Sequence, residues 1–89
     1  MKKLIIVNGM DDDPSILINA ETYEVIHTYD TYDGDNPNTN LLEKLGHGII
    51  EEWEFDDLVD EEEYEPSDMT NKMPNLDLVI ERLKEKHEK

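Results

Sequence analysis

The sequence predicts an α+β fold: a small three-stranded sheet from the N-terminal half, with about two helices packed on one face. Three observations lead there. Leu4 to Val7 is a short apolar run rich in β-branched residues, closed by Asn8-Gly9. Residues 23–29 alternate in the manner of a half-buried strand. Leu76, Val79, Ile80 and Leu83 recur at the spacing of one helical face.

Taken in order, residues 3–8 read as a buried strand and Met10 to Pro14 as a polar connector. Ser15 to Asn19 is a second strand. Ala20-Glu21-Thr22 then makes a short connection to a third, with Tyr23, Val25, His27 and Tyr29 on one face and Glu24, Ile26 and Thr28 on the other. Asp30 to Asn38 is a loop, because Asp33-Gly34-Asp35-Asn36-Pro37 favours turns. Asn40 and Glu43 resemble a capping box that opens a helix carrying Leu41, Leu42 and Leu45. Gly46 and Gly48 interrupt that pattern, at about 1 kcal/mol each in a helix interior. Beyond them two readings stay open: a helix continuing through Ile49, Ile50 and Trp53, or a strand from Ile49 to Phe55. The last segment, Asn75 to about Lys86, is an amphipathic helix. Asn75 is its expected N-cap, Asp77 lies in its first turn, and Lys84, Lys86, His87 and Lys89 sit where cations suit the helix dipole.

A chain of 89 residues is one domain, 1–89. Leu, Ile, Val and Phe supply 22 residues, enough for a core but a thin one. A homodimer is expected on that ground, because shared burial helps a small core. No cysteine is present, which excludes disulfides and thiol chemistry. The apolar run after Lys2-Lys3 is too short for a signal peptide or a membrane span, so the expected location is a cytoplasm, the producer's or a host's.

Charge is the distinctive property. Twenty-four acids face eight bases, for a formal charge of −16. Residues 30–70 carry fifteen of those acids and one base, Lys44, whereas residues 71–89 carry five bases and four acids. Such a balance disfavours direct nucleic-acid or membrane binding, both of which need a basic footprint. It favours long-range attraction to a basic partner.

Glu51 to Asp68 is the densest stretch: Glu51, Glu52, Glu54, Asp56, Asp57, Asp60, Glu61, Glu62, Glu63, Glu65 and Asp68, with no base among them. A helix would space these charges roughly 2.5 Å apart and an extended chain roughly 5 Å. One strand of duplex DNA carries a phosphate about every 3.4 Å. Charge runs are ordinarily solvated faces. This one is internal and threaded with Trp53, Phe55, Leu58, Val59 and Tyr64, which a solvating tail would lack. Asp30, Asp33 and Asp35 are expected to extend the same partner-binding face. Asp11 to Asp13 read more simply as a polar turn.

Catalytic and metal patterns are missing. With Gly34 as the sixth position of a calcium loop, positions one, three, five and twelve are Tyr29, Thr31, Asp33 and Asn40, and the pattern fails. His27, His47 and His87 have no zinc spacing. Ser15 and Ser67 lie in no nucleophile elbow. The expectation is therefore a non-enzyme with no cofactor and no metal site.

In size, charge, absence of cysteine and an internal acidic run, the chain resembles the small acidic DNA-mimic proteins that bacteriophages make during host takeover. The resemblance is one of type and carries no residue motif. It implies a non-enzymatic inhibitor whose polyanionic surface occupies a basic DNA-binding protein. The nucleoid protein HU is the first expected target; a nuclease, an RNA polymerase or a restriction enzyme are others. A target that grips the phosphate backbone needs only phosphate-like charge. The alternative is an acidic immunity protein or antitoxin that plugs a nuclease active site, and Met1-Lys2-Lys3 with Val7-Asn8-Gly9 resembles the start of the barstar type.

Overall fold

The apolar run at the N-terminus becomes an inner strand of a four-stranded sheet. The computed structural model describes residues 2–10, 13–35, 38–44, 46–66 and 72–87. The strands are β1 (Lys2–Asn8), β2 (Ser15–Asn19), β3 (Val25–Tyr29) and β4 (His47–Glu54), in the order β3-β2-β1-β4. The helices are α1 (Thr39–Lys44), α2 (Phe55–Leu58) and α3 (Leu76–His87), with single 3-10 turns at Thr31–Asp33 and Glu61–Glu63. The fold is α+β as the sequence predicts, with one strand more than the three expected. Residues 47–54, left open between helix and strand, are β4.

β1 pairs antiparallel with β2 and parallel with β4, and β2 pairs antiparallel with β3. So β1, β3 and β4 all run one way. Leu4 to Val7 are buried on both sides, which is why the run is continuously apolar. Ile5, Val7, Ile16 and Ile18 face the main core, where Phe55, Leu58 and Val59 meet Val79 and Leu83 of α3. Leu4, Ile6 and Leu17 face the other way, against Tyr29 and against Leu42 of α1. The helices thus lie on both faces of the sheet rather than one. Leu41 and Leu42 are neighbours on α1, and only Leu42 reaches the sheet; Leu41 stays exposed.

Two register slips decide which side chains face where. Leu4 pairs with Ile49 but Ile5 pairs with Glu51. This slip sets Glu51 and Trp53 beside Ile5 and Val7 on the α3 face, and Glu52 and Glu54 on the opposite face. Likewise Leu17 pairs with His27 but Ile18 pairs with Val25. The expected single face of Tyr23, Val25, His27 and Tyr29 is therefore split. Tyr23 and Val25 join the main core, whereas His27 and Tyr29 lie across the sheet with their rings 4.5 Å apart. Ile26, at the slip, is 42% exposed. Tyr23 belongs to the turn, at φ 61, and not to the strand.

The caps also differ from expectation. α1 is capped by Asn38, whose Oδ1 accepts from Leu41 N–H at 3.0 Å, and not by Asn40. Gly46, at φ 86, ends it, a left-handed position that suits glycine. At α3, Asn75 takes φ 54 and its side chain reaches sideways: Oδ1 accepts from Glu65 N–H and Nδ2 donates to the Glu63 carbonyl, both at 2.9 Å. Among the described residues no helix is long and apolar enough to cross a membrane.

Candidate polyanionic interface

Because β1, β3 and β4 run the same way, the connections that follow them emerge at one end of the sheet. These are residues 9–14, 30–38 and 55–66, and none contains a Lys or Arg. Chain direction alone thus gathers acids that lie far apart in the sequence. Asp13 ties the three connections together. Its carbonyl accepts from Thr31 Oγ1 at 3.0 Å, and its carboxylate accepts from Tyr64 OH at 3.4 Å. The loop holding Asp13 is tight: Gly9 N–H donates to Ser15 Oγ at 3.1 Å, and a side chain at Gly9 would strike the carbonyls of Asp13 and Pro14. Asp13, expected from the sequence as a polar turn residue, is the junction of the site. Asp11 and Asp12 lie outside the described residues.

The acidic segment is ordered by its own carboxylates. Glu54 N–H donates to Asp57 Oδ2 at 3.2 Å, and Asp60 N–H donates to Glu63 Oε1 at 3.1 Å, each as part of a reciprocal capping box. Acids at the start of a helical turn also meet the favourable end of its dipole. Two consecutive short turns, each opened by acids, therefore hold a dense anionic run in fixed geometry. Asn8 adds a third device, since its Nδ2 donates to Glu52 Oε1 at 2.9 Å and to Glu54 Oε1 at 3.4 Å.

The expected site residues divide. Asp56, Asp57, Asp60, Glu61, Glu62 and Glu65 are exposed at the acidic end, together with Asp33 and Asp35 from the β3 connection. Asp30 is half-buried and caps the 3-10 turn by accepting from Asp33 N–H at 3.4 Å. Its charge pushes the Asp33 carboxyl above the usual range. Glu52 and Glu54 are exposed on β4. Two acids are engaged inside the fold instead. Glu51 accepts from Trp53 Nε1 at 3.1 Å and pairs with His87 Nδ1 at 2.9 Å. Glu63 takes a bidentate pair from Arg82, at 3.2 and 2.7 Å. Hydrogen bonding to Arg82 holds the Glu63 carboxyl below its ordinary range. Asp68 lies outside the described residues.

Sequence reasoning missed Arg82, Asn75 and Asp13 as organisers. Arg82 also donates to the Leu58 carbonyl at 3.3 Å, so one side chain ties α2 and the following turn to α3. The available signal was that Arg82 is the chain's one arginine and follows the Ile80–Glu81 step of the amphipathic helix.

Of the described lysines, Lys3, Lys44, Lys84 and Lys86 sit away from this end, whereas Lys72 lines a depression with Glu65 and Pro66 of the acidic connection. Lys3 is the second residue of β1, Lys44 ends α1 just before β4, Lys84 Nζ lies 5.5 Å from the Tyr23 ring centre, and Lys86 Nζ lies 5.8 Å from that of Trp53. Acids are concentrated at one end of the sheet, where Arg82 is held by Glu63, and Lys3, Lys44, Lys84 and Lys86 lie towards the other. Beside the acidic connections, a groove of about 420 Å³ has Met10, Phe55, Val59 and Tyr64 in its lining and Asp56, Asp60 and Glu61 around it.

Among the described residues no three His, Cys, Asp or Glu side chains are grouped to hold a metal ion. His27 lies 4.0 Å from Asp35 but packs on Tyr29. Burial, and then Asp35, raise the Tyr29 hydroxyl above its usual range. Compared with known proteins, the chain matches no family model, no curated protein and no solved structure.

Proposed function

We propose that the protein is a non-enzymatic inhibitor that imitates a nucleic-acid backbone, presenting its acidic end to a basic DNA-binding protein and blocking DNA binding. The observation that carries the reading is the convergence of three base-free connections at one end of the sheet, joined through Asp13. A solvated tail would spread its charge over an ensemble. Here capping boxes and the Asn8 bridge fix the carboxylates relative to one another. Fixed charges complement a phosphate-gripping surface with less ordering on contact. The nucleoid protein HU, which needs only backbone-like charge, is the first target to try. The reading includes action in a cytoplasm, a host's if the source is a bacteriophage. It also includes a homodimer, supported by the thin core.

The test is a pull-down from bacterial lysate at low salt, followed by elution with nonspecific duplex DNA. The expected result is a basic DNA-binding protein released by DNA, with affinity falling steeply as salt rises. If no basic protein is released by DNA, the proposal is wrong. Capture of a single nuclease that resists both DNA and salt would favour the immunity-protein alternative instead.

A further inference from the structure

We infer that the groove beside the acidic end is a built receptor for a cationic side chain with an aliphatic stem, arginine ahead of lysine, carried on the partner's surface. This deepens the reading above and rests on it. Charge imitation alone requires carboxylates and water. It does not require a depression of about 420 Å³ floored by Phe55 and Val59 and flanked by Met10 and Tyr64. The volume lies in the range of small-ligand sites.

The chemistry of the lining selects the occupant. Asp56 and Glu61 are exposed residues of this lining. An anion is repelled. A wholly apolar group would cover rim carboxylates without pairing them, which is costly. A divalent ion has no grouped ligands here among the described residues and gains nothing from an apolar floor. An arginine side chain satisfies both parts: its stem lies on the floor, and its guanidinium reaches the rim as a bidentate donor. Tyr64 stands perpendicular to Phe55, with ring centres 6.0 Å apart at 89°, and an aromatic lining favours guanidinium over ammonium. Apolar neighbours of that arginine would extend the contact along Met10. The groove would thus supply discrimination between partners, and the surrounding charge the attraction.

The test uses the full chain, isotope-labelled, titrated by NMR with two hexapeptides of equal charge, one alternating arginine with serine and one alternating lysine with serine. The expected result is about fivefold tighter binding of the arginine peptide. Its largest amide shifts should fall at Met10, Val59 and Tyr64, and its advantage should survive about 0.3 M salt. Glu61→Arg, which places a cation at the rim, should cut that advantage about threefold. Glu21→Arg, the same charge change in the β2–β3 turn, should leave it intact. Equal affinity for the two peptides, with shifts spread over Asp33, Glu52 and Glu54, overturns the groove and leaves the polyanion reading standing. Failure of both peptides to bind at low salt overturns both.

Discussion

At the scale of single residues, the sequence discloses which acids exist but not which are free. Glu51 and Glu63 are indistinguishable from their neighbours in composition, yet each is bound within the fold, to His87 with Trp53 and to Arg82. His87 and Arg82 lie 36 and 19 positions from these acids, separations that no local pattern encodes. The Glu63 pair has a pH signature. Arg82 lowers the folded-state pKa of this carboxyl, so its contribution is complete above the unfolded range, about 4.3. It is lost as pH falls through the lower folded value. Urea unfolding of the wild type and of Arg82→Met should therefore differ at pH 7 and converge in acid. A gap that stays constant from neutral pH to about pH 3 would remove the pair from the account. Asp33 works in the opposite sense: Asp30 raises its pKa, so the strain between them is present at neutral pH and relieved as pH falls through the raised value.

Whole elements were legible in proportion to how cleanly their period survives folding. α3 keeps its period throughout, and Val79 and Leu83 on its inner face are fully buried. Leu83→Ala should cost about 2–5 kcal/mol, a large share of a small domain's stability, whereas Leu41→Ala on the exposed side of α1 should cost about 0.5 kcal/mol or less. Chemical denaturation of both measures the contrast, and equal losses would contradict the assigned faces. β1 was legible because a run buried on both sides has no period to disturb. β3 and β4 were not, because each contains a slip that moves later side chains to the other face. An alternation read straight across Val25–His27 or Ile49–Glu51 must then misplace half its residues. Asn75 was misread for a related reason: Asn near a helix start signals a cap, but here a left-handed backbone turns its amide towards Glu63 and Glu65.

At the scale of the molecule, the acidic end is a product of topology. Nothing in the sequence shows that Asp13 meets both Thr31 and Tyr64; the shared direction of β1, β3 and β4 brings them to one end. Gathering like charges has an energetic consequence that salt should expose. Raising ionic strength from about 0.01 to 0.3 M shortens the screening length from about 30 Å to well under 10 Å. The melting temperature should rise, with each 1 kcal/mol of relieved repulsion read as about 4–8 °C. A flat or falling profile would mean that the carboxylates are already neutralised by neighbours, against the arrangement described.

The concentration of acids at one end of the strand axis also acts before any contact is made. A body charged unevenly from pole to pole feels a torque in the field of a basic surface and swings its negative pole forward while still several ångströms off. Fewer collisions are then wasted on the wrong side, so the benefit falls on how quickly complexes form rather than on how long they last.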